Sequence, residues 1–263
     1  MVNMFLTILL TLIAFVHPLV VTSQCAPSSF ENLSLFGAEI LDISASPLTD
    51  IAVSTIQGNN FVAHNVTGLA VCEVKIQYTH PGQNDTINVV VWLPLEDWNG
   101  RFVAVGGGGY STGSGTTSLA IPVWLGYSAA FTDGGHTNSS LDADSWALVS
   151  PGNVNWVLLQ DFAAIALDDF ATLGKSATKA FYGSMPKYSY WNGCSTGGRQ
   201  GHMMAQRYPT QFDGILASAP AFNWHKFLVS EYWPQFIMNS IGMINDTLFL
   251  TSLKLDRCIP NTM

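Results

Sequence analysis

Basic residues are scarce in this sequence. The 263 residues include ten Lys and Arg against eighteen Asp and Glu, which gives a net charge of −8. The basic residues form no cluster along the chain, so nothing here would neutralise a phosphate backbone and a nucleic-acid-binding protein is excluded. Charged residues make up only 11% of the chain and hydrophobic residues 48%, which permits a sizeable core and argues against disorder. Internal repeats and low-complexity segments are also lacking.

The N-terminus has no Lys or Arg but carries an apolar run over residues 4–16. This run is shorter than the roughly 20 residues that cross a bilayer. Val21 and Ser23 suit a signal-peptidase cut after Ser23. Residues 1–23 are therefore predicted to be a signal peptide and the protein to be secreted and extracellular. An uncleaved membrane anchor is the alternative, because the α-amino group is the only positive charge before the run.

Sequons and cysteines after residue 23 also fit the secretory pathway. The candidate glycosylation sites, each in an Asn-x-Ser/Thr sequon, are Asn32, Asn65, Asn84, Asn138 and Asn245. The four cysteines are Cys25, Cys72, Cys194 and Cys258. An oxidising compartment favours pairing them, but four cysteines permit three connectivities and their spacing does not choose among these.

The order of apolar patterns predicts an α/β fold. Residues 24–65 are expected to be irregular with short strands, and later strands are predicted over 69–80, 86–95, 101–105, 187–191 and 214–217. A helix is predicted over 155–181, where apolar residues recur mainly at spacings of three and four, and a second helix is predicted over 198–208. Strands that alternate with helices imply a mostly parallel sheet with flanking helices. The aromatic segment 222–254 reads mostly as helix, either in the core or in a lid.

Ser195 lies in the pattern Gly193-Cys194-Ser195-Thr196-Gly197. A nucleophilic serine needs a sharp turn between a strand and a helix, and glycines two positions to either side let the backbone fold that tightly. The predicted strand before this pattern and the predicted helix after it supply the context. Ser195 is therefore the candidate catalytic nucleophile. A plain Gly/Ser-rich connection is the alternative.

An oxyanion hole would complement such a serine. The N–H of Thr196 is one candidate donor, and the glycine loop 106–109, with Gly107 and Gly108 at its centre, directly follows a predicted strand and offers others. A phosphate-binding loop does not fit, because no Gly-x-Gly-x-x-Gly or Gly-Lys-Ser/Thr pattern runs through these residues. A flexible loop without function is the remaining alternative.

A general base is the requirement that the sequence does not supply. In α/β-hydrolases the acid and then the histidine follow the serine, and only His202 and His225 do so here. His202 falls in the same predicted helix as the serine's turn, and His225 follows no clear strand. Both are expected to be surface or packing histidines. His136 precedes the serine and is expected to shape the site or a loop.

Around Ser195, residues 191–201, with 206–209 and 212–215 beyond them, closely resemble the tannase and feruloyl esterase family. The resemblance extends back through 102–110, 132–136 and the helix at 161–182. It implies an α/β-hydrolase core, a secreted enzyme without cofactor in this chain, a disulfide between Cys25 and Cys72, and hydrolysis of phenolic-acid or gallate esters from plant cell walls or tannins.

The same resemblance implies that the family's remaining catalytic groups lie beyond residue 263. Members join the cysteine before the serine to a cysteine after the catalytic histidine, so the resemblance leaves both Cys194 and Cys258 without a partner here. A bond between Cys194 and Cys258 by default is the alternative. The expected organisation is 1–23 signal peptide, 24–221 N-terminal part of a catalytic domain, and 222–263 the start of an incomplete lid. Calcium is expected in full-length members but has no ligand set in this chain. Such a chain alone is expected to be nearly inactive.

Two further classes of protein stay open at this point. A catalytically dead binding or decoy protein on the same scaffold would also lack the base. A lectin-like secreted module rests only on the sequons and the exposed aromatic residues, and the residues around Ser195 argue against it. The preference between feruloyl and galloyl esters and the oligomeric state are not encoded in any pattern found here.

Overall fold

The structure is a computed structural model that describes residues 24–54, 60–62, 64–136 and 141–241. The predicted signal peptide, Asn138, Asn245 and Cys258 lie outside these ranges. No helix of the described part is long and apolar enough to cross a bilayer.

The described ranges contain nine strands and six α-helices. The strands are β1 Glu39–Val53, β2 Val66–Thr79, β3 Ile87–Pro94, β4 Arg101–Val105, β5 Ser128–Thr132, β6 Leu148–Ser150, β7 Asn153–Val154, β8 Tyr188–Cys194 and β9 Gly214–Ser218. The helices are α1 Ala120–Trp124, α2 Asp144–Ala147, α3 Trp156–Ala163, α4 Ile165–Tyr182, α5 Thr196–Arg207 and α6 Trp224–Ser240, and 3₁₀ turns cover Pro27–Phe30 and Thr116–Leu119.

Seven of the strands form one mixed sheet in the order β1-β2-β3-β5-β4-β8-β9. The pairs from β1 to β5 are antiparallel, and the pairs that join β5, β4, β8 and β9 are parallel. Strands β6 and β7 make a separate small hairpin. The predicted α/β fold with a parallel sheet and flanking helices is confirmed. The parallel half places the C-terminal ends of β4 and β8 side by side, which is where ligands bind in open α/β sheets.

Apolar side chains cover both faces of the sheet. On one face α4 buries Phe170, Leu173 and Phe181 against β3, β4 and β5. Its Gly174 lets the helix approach closely, because an added Cβ would lie 2.7 Å from the Phe102 ring. On the other face Leu119 and other residues from Thr116–Leu119 and α1 pack against strands β3, β4 and β5.

Three elements differ from the sequence-based expectation. Residues 39–53, expected to be irregular with short strands, form the 15-residue strand β1. This strand lies at the sheet edge, buries no residue fully and pairs with β2 through register shifts, so it lacks the apolar alternation by which strands are recognised. Strand β5 is made of small residues and was not predicted. The helix predicted over 155–181 is broken at Ala164, whose φ of −157° and ψ of −46° lie outside the helical region.

Helix α6 has an unusual surface. No residue of Trp224–Ser240 is buried, and large apolar side chains stand in solvent along it and just before it: Phe222, Tyr232, Trp233 and Phe236. The predicted helix is confirmed over these residues, but the core interpretation of it is wrong within the described part. The interpretation of 222–263 as the start of a lid stays a prediction.

Candidate active site

Ser195 sits at the sharp turn that the sequence predicted. It directly follows β8 and begins α5, with φ 57° and ψ −117°. Positive φ is unfavourable for a residue with a side chain, so neighbouring bonds must hold it. The Ser195 N–H donates to the carbonyl of Ser218 at 3.2 Å, and the Ser195 carbonyl accepts from the N–H groups of Arg199 and Ala221 at 3.0 Å each. The strand–turn–helix context of Ser195 is therefore confirmed.

The glycines around the turn are required by close backbone approaches. A Cβ on Gly193 would lie 2.4 Å from the carbonyl oxygen of Gly197. A Cβ on Gly198 would lie 2.3 Å from the carbonyl oxygen of Ser218. Both neighbours are backbone atoms and cannot rotate away as a side chain would. The glycine spacing thus fixes the turn, and the Ser195 side chain remains half-exposed at its apex.

The glycine loop docks directly on the start of α5. The hydroxyl of Thr196 donates to the carbonyl of Gly109 at 2.6 Å. The N–H of Gly197 donates to the carbonyl of Gly107 at 2.9 Å. A second anchor comes from β8, since the Gly106 N–H donates to the carbonyl of Asn192 at 3.0 Å. These bonds place the loop and the first turn of α5 against each other, as the oxyanion-hole interpretation requires.

One predicted oxyanion donor is wrong. The N–H of Gly107 donates to Oε1 of Gln200 at 3.0 Å in a buried bond, so it is not available to a substrate. The N–H groups of Gly108 and Thr196 have no hydrogen-bond acceptor within the described ranges. The Thr196 N–H belongs to the first turn of α5, where N–H groups have no partner within the helix. Gly108 and Thr196 remain the candidate donors.

Gln200 is a structural residue that the sequence analysis missed. It is 0% exposed on the buried side of α5. Its Oε1 accepts from Gly107, and its Nε2 donates to the carbonyl of Thr112 at 3.0 Å. The side chain thereby joins the glycine loop, and Thr112 just after it, to the helix that follows Ser195. The available signal was a neutral polar residue one helical turn after Thr196, on the side that faces the sheet.

None of the three candidate histidines hydrogen-bonds to Ser195 in the described structure. His202 is exposed on α5, and its ring contacts Phe222 at 4.6 Å between centroids. His225 is exposed on α6. His136 is buried, with Nε2 2.8 Å from the Thr112 hydroxyl and its ring stacked on Trp146. The three histidines therefore occupy the surface and packing positions expected of them, and none of them is positioned as the general base for Ser195.

Arg199 links α5 to α3 beside the serine. Its two terminal nitrogens donate to the carbonyls of Phe162 and Ala163 at 3.2 Å. The guanidinium lies 4.7 Å from the Phe162 ring centroid and 5.7 Å from that of Trp224. Burial lowers the pKa of Arg199 to about 10, which leaves it charged at neutral pH. Tyr110, next to the glycine loop, contacts Trp224 at 5.5 Å.

These contacts define an aromatic wall next to the turn. Its members touch one another ring to ring: Tyr110, His136, Trp146, Phe162 and Trp224. The segment that holds Trp224 was predicted to be part of a lid or a core helix, and His136 was predicted to shape the site or a loop, but their neighbours Tyr110, Trp146 and Phe162 were not predicted to join them. The five residues come from five separate segments, and no periodicity reveals such a meeting.

The disulfide between Cys25 and Cys72 is confirmed, with a Cα–Cα distance of 5.6 Å. Cys194 is a disulfide cysteine as well, so the expectation that it lacks a partner in this chain is wrong. The remaining cysteine, Cys258, lies outside the described residues. Among the predicted glycosylation sites, Asn32, Asn65 and Asn84 are exposed, which leaves them sterically open to modification.

Comparison with known proteins identifies relatives over most of the chain. Residues 72–246 match the family described as tannase and feruloyl esterase. A probable feruloyl esterase of Arthroderma benhamiae is 48% identical over 175 residues, 66% of this chain and 33% of that protein. A tannase of Aspergillus oryzae is 32% identical over 212 residues, 77% of this chain and 34% of that protein.

The fold agrees with these matches. The solved structure of a tannin acyl hydrolase from Aspergillus niger superposes with a TM-score of 0.69 at 29% identity, over 86% of this chain and 40% of that one. This chain spans about a third of the length of the two curated relatives. The family match over residues 72–246 includes strands β3 to β9, the turn at Ser195 and the glycine loop. The chain belongs to the tannase and feruloyl esterase family.

Proposed function

We propose that this chain carries the nucleophile and oxyanion hole of a secreted carboxylic ester hydrolase, with Ser195 as the attacking residue. The observation that supports this most strongly is the turn itself. Ser195 is held at positive φ at the C-terminal end of β8, beside the N–H groups of Thr196 and Gly108. Backbone conformations that neighbouring bonds must enforce cluster at active sites.

The proposed reaction begins with attack of Ser195 Oγ on the ester carbonyl carbon. The oxygen that becomes negative would accept hydrogen bonds from Thr196 and Gly108, whose N–H groups are fixed in place before the substrate arrives. The alcohol leaves with a proton, and the acyl group stays on Ser195 until water hydrolyses it. The Ser195 proton passes to a general base, a role that none of the described histidines is positioned to fill.

The absence of a base bonded to Ser195 in the described residues sets the expected rate. Removal of the base from a serine hydrolase costs on the order of 10⁶-fold in turnover, and the oxyanion hole with substrate binding retains roughly 10³–10⁴-fold over water. Acylation by an activated ester is therefore expected to be slow, and release of the acyl group slower still. The acyl-enzyme should accumulate rather than turn over.

The proposed substrates are esters of aromatic acids, of the phenolic or gallic type. The names of the relatives, feruloyl esterase and tannase, support this class. The aromatic wall supports it as well, because rings at the edge of a site offer stacking surfaces to an aromatic acyl group. Secretion, glycosylation at the exposed sequons and a calcium site in longer members remain part of the same proposal.

A binding protein on the same scaffold is the second candidate. It is favoured by one observation, namely that Ser195 Oγ makes no hydrogen bond to a histidine in the described structure. Such a protein would hold an aromatic ester without forming a bond to it.

Mass spectrometry of the intact chain after incubation with p-nitrophenyl ferulate separates the two candidates. The ester hydrolase proposal expects a feruloyl mass increment that maps to Ser195 and is lost in Ser195→Ala. Ser218→Ala is the matched control, because Ser218 lies in the adjacent strand and hydrogen-bonds to Asn60; it should acylate like the unchanged chain. Binding without any covalent increment would favour the binding protein and contradict the proposal.

A further inference from the structure

A second group of ionisable side chains lies outside the Ser195 site. His80 directly follows β2, Asp85 lies in the turn before β3, and Asp161 lies in α3. One ligand-capable atom from each of these three residues lies within 4.8 Å of the other two. Asp169 in α4 adds a fourth, since its Oδ2 is 3.2 Å from Nε2 of His80. Separate segments of the chain thus converge on one point with three carboxylates and an imidazole.

The side chains of His80 and Asp85 are held in place by other hydrogen bonds. Nδ1–H of His80 donates to Oδ2 of Asp85 at 2.5 Å, and the backbone N–H of His80 and the hydroxyl of Thr79 donate to Oδ1 at 2.8 Å each. Asp169 accepts a bond from the hydroxyl of Tyr78 at 3.0 Å. Both ring nitrogens of His80 therefore face a carboxylate, Nδ1 that of Asp85 and Nε2 that of Asp169 at 3.2 Å, and the ring is held in one orientation between them.

Asp161 differs from the other members because it lacks such support. It is 1% exposed, and its Oδ2 has no hydrogen-bond partner in the described structure. An ionised carboxylate buried without a partner is strongly unfavourable. One of its carboxylate oxygens nevertheless lies within 4.8 Å of a ligand atom of His80 and of Asp85. A cation at that point would compensate the negative charge of the buried Asp161 carboxylate.

The net negative charge of these four side chains also favours a bound cation. Of the salt bridges in the described part of the chain, those that reach Asp85 and Asp169 both come from His80, and no lysine or arginine takes part. Even a protonated His80 leaves three carboxylates against one positive charge. A divalent cation would bring the group close to neutrality.

We propose that His80, Asp85 and Asp161 bind one divalent transition-metal ion, Zn²⁺ or Mn²⁺, with Asp169 as a neighbouring oxygen donor. The imidazole decides the class of metal, because Ca²⁺ and Mg²⁺ are bound by oxygen ligands, whereas Zn²⁺ and Mn²⁺ accept nitrogen together with carboxylate oxygen.

The site would have a structural effect on the Ser195 region. It joins the β2–β3 turn to α3, and the two residues after Asp161, Phe162 and Ala163, provide the carbonyls that hold Arg199 of α5. A metal ion that fixes α3 therefore also fixes the partner of the helix that begins at Ser195. Metal binding is expected to raise the thermal stability of the chain.

A shared proton is the competing explanation for the same geometry. Burial, followed by the charge of Asp85, raises the pKa of Asp161 to about 7. A neutral Asp161 could then sit beside Asp85 without any metal. Asparagine has the shape of a neutral aspartic acid but is a poor metal ligand, so Asp161→Asn separates the two explanations.

The test measures binding of Zn²⁺, Co²⁺ and Mn²⁺ to the full chain after dialysis against EDTA. We expect one equivalent of Zn²⁺ by calorimetry, a rise in the thermal midpoint, and visible d–d absorption with Co²⁺ that Zn²⁺ displaces. Asp161→Asn should weaken binding at least tenfold. Asp144→Asn, an exposed aspartate in α2, is the matched control and should bind as the unchanged chain does.

Two outcomes would overturn the proposal. One is an unchanged chain that binds none of Zn²⁺, Co²⁺ and Mn²⁺, a result that does not depend on whether any variant folds. The other is Asp161→Asn that folds by circular dichroism and binds Zn²⁺ as tightly as the unchanged chain. If Asp161→Asn does not fold, the Co²⁺ spectrum decides, because imidazole and carboxylate ligation gives bands that nonspecific binding does not.

Discussion

Replacement of Gln200 by methionine is expected to loosen the glycine loop that lies beside Ser195. Methionine has nearly the same length and volume, so the substitution removes two hydrogen bonds and leaves little cavity. The N–H of Gly107 and the carbonyl of Thr112 would both lose their partners in a buried setting. The loop would have to keep two unpaired polar groups or move away from α5.

The expected loss follows from those two groups. A buried backbone group without a partner costs about 1–3 kcal/mol, so Gln200→Met should lower the free energy of unfolding by about 2–6 kcal/mol. That is a large share of the roughly 5–15 kcal/mol by which proteins are stable. Displacement of the loop would also move the Gly108 N–H, so acylation of Ser195 should slow as well.

Urea unfolding followed by tryptophan fluorescence measures the stability, and the rate of acylation measures the site. Gln206→Met, on the exposed side of the same helix, is the matched control and should change the free energy of unfolding by no more than about 0.5 kcal/mol. If Gln200→Met unfolds within that same margin of the unchanged chain, Gln200 does not hold the loop and this reasoning is refuted.

Three further predictions concern the turn, the disulfide and the acidic group. Gly193→Ala should lower the free energy of unfolding, measured in urea, by at least about 1–3 kcal/mol. Gly108→Ala should be tolerated, because its added Cβ meets no atom within 4 Å. Equal losses of stability in the two variants would contradict the backbone contact at the turn. Replacement of Cys25 and Cys72 by alanine should lower the free energy of unfolding by about 4 kcal/mol, because the disulfide closes a loop with a 47-residue separation. An unchanged unfolding midpoint would show that this disulfide does not stabilise the chain. Since burial raises the pKa of Asp161 from 3.8 to about 7, the folded state binds a proton that the unfolded state releases, so stability in EDTA should fall as the pH rises from about 4 to about 7. The free energy of unfolding of Asp161→Asn should fall less over that pH range. If the stability of the unchanged chain in EDTA instead rises from pH 5 to pH 8, the predicted direction of the pH dependence is wrong.

The sequence predicted the parts of the fold that follow from local patterns. The turn at Ser195 was predictable because its glycines, the strand before it and the helix after it are contiguous in the chain. The strand that leads into the glycine loop was predictable for the same reason. The 15-residue strand β1 was not, because an edge strand that buries nothing fully has no apolar alternation to detect.

The candidate site was predictable only in part, since some of its contacts join distant residues. Gly107 was expected to donate to an oxyanion, but Gln200, 93 positions later, takes that N–H. The acidic group was not predicted because strands β3 to β7 lie between Asp85 and Asp161 in the sequence. Spacing along a chain reports neighbours within one element and is silent on which side chains the tertiary fold brings together.

The central claim is that Ser195 is the nucleophile, and fluorophosphonate labelling followed by peptide mapping tests it most directly. The account predicts a single adduct on Ser195 that forms in the unchanged chain and in Ser218→Ala and is absent from Ser195→Ala. An adduct on another residue, or no adduct on the folded chain at all, would contradict the account.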